Sequence, residues 1–323
     1  MIKTIKAKDI KVGMYVNLPH AWRAHPFLRS SFTITTDKQI SKIINHGITE
    51  VNIDVQKSVA AADILKEVVE PEKDFSEKAD IVPDQLKEAI ADKKMPPQTK
   101  AQAVHLHSVN MISKLFDKPN DKNIEQFKKG IVGVVDLILA DNATNHYLMN
   151  ITTHDYNTYV HSVNVGVLGV SLAKTVFAKS NQHDMHALGA GFFLHDLGKV
   201  HINESIINKP GKLTEEEMNE MRKHPGFGFK VLNETKQINE ESRLIVLQHH
   251  ERADGTGYPQ KMRGNDIHIY GRICSVADVF DALVSTRPYK NKVEPFEALK
   301  IMKTEMIAHF QKEIFDKFVL LFK

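Results

Sequence analysis

From Tyr159 to the C-terminus, apolar residues recur at helical spacing and no strand alternation appears, which confines this half of the chain to an all-α bundle. Val163, Val167, Leu168, Val170 and Leu172 mark one buried helix, and Ala187 to Leu194 another. The second runs into Phe193-Leu194-His195-Asp196-Leu197-Gly198-Lys199, where an imidazole and a carboxylate adjoin at the end of an apolar run. A bundle that takes such groups inside must give them partners, because an unpaired buried polar group costs free energy.

The chain has 323 residues, so two domains joined by a linker are expected. With 42% hydrophobic and 26% charged residues it can bury a core, and disorder throughout is excluded. Short β-type runs at 13–16, 31–35 and 51–54 alternate with turn signals, and 37–47 carries the pattern of a short amphipathic helix. Residues 1–58 are therefore expected to form a small α/β domain, with Trp22, Pro26 and Phe27 serving its core. Residues 59–122 are read as a charged, partly helical linker. Helical periodicity at Val104, Met111, Ile112 and Leu115, and again at Phe127, Ile131, Val134, Val135 and Ile138, predicts helices packing onto the domain that follows. That domain, 123–323, makes the fold class α+β overall.

A net charge of +3 is no signature of nucleic-acid binding, and no DNA partner is expected. The single cysteine, Cys274, excludes an internal disulfide and suits a buried thiol in a reducing compartment. Lysines interrupt the N-terminus, and the most apolar runs are shorter than the roughly 18 residues of a membrane span, so a cytoplasmic location is expected. Oligomeric state is left open.

Histidine and aspartate carry the chemistry. His161, His195, Asp196, His224, His249, His250 and Asp278 all stand in or beside apolar helical segments. Imidazole nitrogens and carboxylate oxygens suit transition metals of intermediate softness, and the set exceeds what one ion needs. Two ions sharing a carboxylate fit better, with Asp196 as the bridge. An isolated histidine on an apolar helix is more often a hydrogen-bonded core residue, but the doubled His249-His250 and the adjacent His195-Asp196 reverse those odds. Lys199 lies one helical turn beyond Asp196, where it could reach a substrate phosphate or simply face solvent. Glu251, Asp254, Gly255, Gly257, Tyr258 and Pro259 belong to a loop whose glycines and proline impose turn geometry.

His195-Asp196, His249-His250-Glu251, Asp254-Gly255-Thr256-Gly257-Tyr258-Pro259 and the segment from Val276 to Leu283 closely resemble the motifs of the HD-GYP family of cyclic diguanylate phosphodiesterases. The resemblance covers residues 123–323 and implies an HD-type helical bundle. It also implies that His161, His195, Asp196 and Asp278 hold one metal, and Asp196, His224, His249 and His250 the other. Asp196 and Lys199 would be catalytic, with a bridging water or hydroxide as nucleophile. Lys199, Arg287, Lys290 and Tyr258 would bind substrate.

Two divalent transition-metal ions are implied, iron favoured over manganese. The implied reaction opens cyclic di-GMP to linear pGpG, and onward to GMP. Alternatives are a cyclic di-GMP sensor or docking module with little turnover, whose GYP loop meets signalling-domain partners, and an HD phosphohydrolase for another cyclic dinucleotide or nucleotide. The first fifty or so residues resemble a small uncharacterised domain often fused ahead of this module.

One tetrapeptide occurs twice, at 107–110 and 161–164. His161 is taken as the ligand because it opens the strongly apolar helix and stands at the family's spacing before His195. His107 is expected to be a partly exposed helix residue, and His183, His186, His201 and His268 to be ordinary. Asn157 stands where some members of the family carry a glutamate for a third metal, which favours two.

Overall fold

The computed structural model describes residues 2–11, 14–18, 31–34, 40–41, 43–44, 48–54, 80–151, 158–209, 211–285 and 293–322, with the side chains of 31–33 excepted. The chain divides into two compact units, Met1–Ala79 and Asp80–Lys323.

The first unit holds a four-stranded sheet of β1 (Ile2–Lys6), β2 (Tyr15–Asn17), β3 (Ser31–Thr33) and β4 (Glu50–Asp54), in the order β1-β4-β2-β3 with antiparallel neighbours. Alternation places Val51 and Ile53 of β4 inside while Glu50 and Asn52 face out, the two-residue period of a one-sided sheet. Val16, Ile34 and Ile43 complete the core with them. β1 is a strand although lysines interrupt it, and lysines suit its position at the sheet edge. Trp22, Pro26 and Phe27 lie outside the described residues, as do most of 37–47.

The second unit is helical. It begins with α1 (Asp84–Ala91), α2 (Pro97–Asp117), α3 (Asp121–Ala140) and α4 (Asn142–Met149). α1 and α2 fall in the stretch read as linker, yet Val104, Met111, Ile112 and Leu115 of α2 are fully buried in the same core as Phe127 and Ile131 of α3. The helical unit therefore starts at Asp80 rather than 123. The charged composition that suggests a linker runs on through Asp92, Lys93 and Lys94, and the apolar period of α2 sets in behind it.

α5 (Thr158–Val176) and α6 (Met185–Leu194) form the centre, with Val163 to Ala173 apart from Asn164 buried on α5 and Leu188 to Leu194 on α6. Helices buried on all sides carry no solvent-facing stripe. A Cβ on Gly166 would stand 2.4 Å from the Phe193 ring, so a bare backbone on α5 admits the large ring of α6. After a 3-10 turn at Leu197–His201 come α7 (Glu204–Ile207), α8 (Glu215–Met221), α9 (His224–Glu234), α10 (Glu240–Gln248), α11 (Ile269–Val284), α12 (Pro295–Glu305) and α13 (Lys312–Val319). Cys274 is buried on α11. Among the described residues no helix is long and apolar enough to cross a membrane.

Candidate metal centre

The ends of helices deliver most of the polar groups. His195 caps α6 and Asp196 begins the turn after it; His224 opens α9; His249 caps α10 and His250 follows. His161 and Asp278 come from within α5 and α11. Gly198 makes this convergence possible. A Cβ there would fall 1.9 Å from the His224 carbonyl oxygen and 2.4 Å from the Gly228 nitrogen, so only glycine lets the turn after Asp196 settle on the start of α9.

The groups meet as two sets, Asp196, His224, His249 and His250 in one and His161, His195 and Asp278 in the other. Asp196 faces both. Its Oδ1 lies 3.3 Å from Nε2 of His224 and 3.8 Å from Nε2 of His249. Its Oδ2 lies 3.5 Å from Nε2 of both His161 and His195. Asp278 adds Oδ1 at 3.0 Å from Nε2 of His161 and Oδ2 at 3.4 Å from Nδ1 of His250.

Proton positions follow from the backs of the rings. Nδ1 of His195 donates to the Phe192 carbonyl at 2.8 Å, Nδ1 of His224 to Met221 at 2.7 Å, and Nδ1 of His249 to Val246 at 2.9 Å. Nδ1 of His161 donates to Oδ2 of Asp281 at 2.7 Å. A carbonyl or carboxylate only accepts, so each ring carries a hydrogen at Nδ1 and turns its Nε2 inward, and in His224 and His249, whose basicity burial lowers, that Nε2 is bare. Nε2 of His224 and of His249 thus face each other at 3.1 Å with no proton to share. His195 Nε2 and Asp196 Oδ1 are buried without a hydrogen-bond partner. Inward lone pairs beside buried carboxylate oxygens are what divalent cations complete, so the residues fit two ions.

The electrostatics agree. Burial pushes His224 down to about 3, against the pull of Asp196, and His250 down to about 4, against Asp278. Burial, with His250 and His195 beside it, holds His249 well below the usual imidazole value. Burial works against ionising Asp196 and Asp278, yet Lys199 and His195 hold the first well below the carboxylate range, and His161 and His250 hold down the second. His224, His249 and His250 are thus neutral at pH 7, and Asp196 and Asp278 are charged.

Lys199 donates to Oδ2 of Asp196 at 2.5 Å and is partly buried. Tyr258 leans on His250, ring centroids 4.6 Å apart, and its phenol stays protonated through burial and the carboxylates of Asp278 and Asp196. The loop behind it is held from inside by Glu251, which accepts from the amides of Gln260 at 2.6 Å and Met262 at 2.9 Å. Asp254 accepts from the Thr256 amide at 2.9 Å, Gly255 has a φ of 80°, and a Cβ on Gly257 would strike the His250 carbonyl at 2.5 Å. Pro259 is exposed at the loop tip. Arg287, Lys290 and Asn157 lie outside the described residues. His107 is half-buried on α2 and belongs to neither set. Asp281 was not singled out from sequence as a site residue; its place one helical turn after Asp278 is the signal that could have found it.

Residues 165–314 match the HD domain, and residues 2–125 match a domain of unknown function, DUF3391. A cyclic di-GMP phosphodiesterase of Pseudomonas aeruginosa is 28% identical over 99% of this chain and 76% of its own length. A 3'3'-cGAMP-specific phosphodiesterase of Vibrio cholerae is 40% identical over 38% of this chain, which spans 24% of that protein. Among solved structures, an HDG"Y"P protein from Bdellovibrio bacteriovorus superimposes with a TM-score of 0.64 at 18% identity, covering 100% of this chain and 99% of that one, a likeness of fold. The helical unit and its paired histidine and aspartate groups are those of an HD-domain protein. With a DUF3391 domain ahead of it and the glycine-tyrosine-proline loop beside the clustered histidines and aspartates, the chain is similar to proteins of the HD-GYP family.

Proposed function

We propose that the chain is a cytoplasmic, metal-dependent phosphodiesterase that opens cyclic di-GMP to linear pGpG and carries it onward to GMP. The observation that carries this reading is Asp196, whose two carboxylate oxygens face two separate sets of ligands. A dinuclear centre with Asp196 as the shared ligand is its natural product. Two ions, iron before manganese, would be held by His161, His195, Asp196, His224, His249, His250 and Asp278, and would supply Lewis acidity toward water and the phosphoryl oxygens.

The chain's own groups do the rest. Bare Nε2 atoms aimed inward by carbonyls and Asp281 hold the ions without rearrangement. Lys199, a cation at the rim of the centre, is assigned to a phosphate oxygen of the substrate and to transition-state charge. Tyr258, a neutral phenol beside His250, is assigned a hydrogen bond to the substrate. Arg287 and Lys290 are assigned to the phosphates from their place in the sequence motif.

The similarity to the Vibrio cholerae protein supports a second reading, in which 3'3'-cGAMP is the preferred substrate. Purified protein loaded with iron(II) or manganese(II) under anaerobic conditions, given each cyclic dinucleotide, distinguishes the two by kcat/KM. Cyclic di-GMP is expected to be opened faster, and Asp196→Ala to abolish turnover. Inactivity on cyclic di-GMP across both metals defeats the proposal; tight binding without turnover would make the chain a sensor.

A further inference from the structure

Three of the inward-facing imidazoles rest their Nδ1 on backbone carbonyls, which the helices themselves fix. His161 instead rests on a side chain, Asp281, so its aim depends on what holds that carboxylate. Ser285 donates to Oδ2 of Asp281 at 3.2 Å, and Nδ2 of Asn164 donates to its Oδ1 at 2.8 Å. Asn164 in turn meets His105 of α2, Nε2 to Oδ1 at 2.9 Å.

The direction of each bond is forced. A carboxylate accepts only, so the Asn164 amide must turn its NH2 toward Asp281 and its oxygen toward His105. That oxygen requires a donor, so His105 carries its hydrogen on Nε2. His105 is buried, and burial lowers its basicity, which keeps the ring neutral. A neutral ring offers one N–H, and here that N–H holds the oxygen end of the amide whose NH2 end Asp281 takes, so the amide is fixed from both sides. Were the amide reversed, its oxygen would face Asp281 and push the carboxylate off His161.

We propose that His105 is a positioning residue for the ion held by His161, His195 and Asp278, acting through Asn164 and Asp281. It rests on the metal-centre reading above. His105 lies within the residues matched by the DUF3391 domain and outside those matched by the HD domain, as Asn164 and His161 also lie outside the latter. The helix that precedes the catalytic match therefore contributes to ion binding without touching an ion.

The test is titration of the metal-free full-length chain with manganese(II) alone, counting ions and their affinities by calorimetry and elemental analysis. His105→Phe and His105→Leu keep bulk and lose the donor, so either one serves if the other fails to fold, as judged by circular dichroism. One of the two ions is expected to bind about 10-fold to 100-fold more weakly, the other to keep its affinity. His105→Gln, whose amide can donate to Asn164, is expected to restore the weakened ion. Unchanged affinities for both ions in the donorless variants overturn the proposal. So does an equal loss of both ions that Gln does not restore, which marks a packing defect. His161→Ala is run beside them: if it loses one ion while the His105 variants lose none, only the relay falls, and if it too loses none, the metal-centre reading falls with it.

Discussion

Nε2 of His224 and Nε2 of His249 stand 3.1 Å apart, each ring having spent its only hydrogen on a backbone carbonyl behind it. Two lone pairs at that distance repel unless a cation lies beside them, and Oδ1 of Asp196 lies 3.3 Å from the first. Metal removal is therefore expected to lower the melting temperature by several degrees, because an ion that binds only the folded chain stabilises it by mass action. Replacing His249 with leucine removes this repulsion together with the ligand, so the metal-free variant is expected to melt at or above the metal-free parent while gaining less from added metal. Calorimetric melting with and without chelator checks both.

Acid should destabilise the metal-free protein through the same rings. His224 and His250 are lowered to about 3 and about 4, and His249 is lowered as well, whereas an unfolded imidazole titrates near pH 6.5. As pH falls below about 6.5 the unfolded chain takes up protons that the folded one refuses, so the stability these groups give is full above that value and is lost as pH falls toward 4 and 3. Asp196 and Asp278, held below the carboxylate range, add a loss that begins below about pH 4. Urea denaturation in chelator is expected to show a plateau above pH 7 and a decline between pH 6.5 and 4. A flat profile there would contradict the neutral-imidazole arrangement.

Gly198→Ala should be costly although the change is one methyl group. The new Cβ would overlap backbone atoms of His224 and Gly228, which have no rotamer to escape into. Stability is expected to fall by about 3 kcal/mol, the upper end of the range for overpacking, and His224 to move away from Asp196. Denaturant midpoints measure the first effect and manganese affinity the second.

Glu251→Ala leaves the amides of Gln260 and Met262 without their acceptor. A lost buried partner costs roughly 1–3 kcal/mol, here confined to the loop. Hydrogen exchange at those two amides is expected to rise about 10-fold or more, with KM for cyclic di-GMP raised more than kcat is lowered, since Tyr258 rides on this loop. Unchanged exchange would show that Glu251 does not hold it.

How much of this was legible in the sequence depended on how local each signal is. His195-Asp196 and His249-His250 announce themselves because adjacent polar residues at the ends of apolar helices have few other uses, and the structure brings them together with His161, His224 and Asp278. Asp281 shows only its place one helical turn after Asp278, and His105 shows nothing local, since their partners lie 120 and 59 residues away and only the packing of α5 against α2 and α11 brings them within reach. The repeated tetrapeptide drew attention to His107, while the histidine two positions earlier is the one that turns inward. In the N-terminal unit β1 is not legible in the sequence, because the lysines of an edge strand break the apolar run that signals a strand. The helical spacing of Val104, Met111, Ile112 and Leu115 marks α2 as a helix packing onto the domain that follows, and these residues are buried in its core.

The central claim is that Asp196 serves two ions, one through each oxygen. Elemental analysis of the anaerobically purified parent, His161→Ala, His224→Ala and Asp196→Ala measures it directly. Two ions per chain are expected in the parent, one in each histidine variant, and neither retained in Asp196→Ala. The loss of a single ion in all three variants would contradict the account.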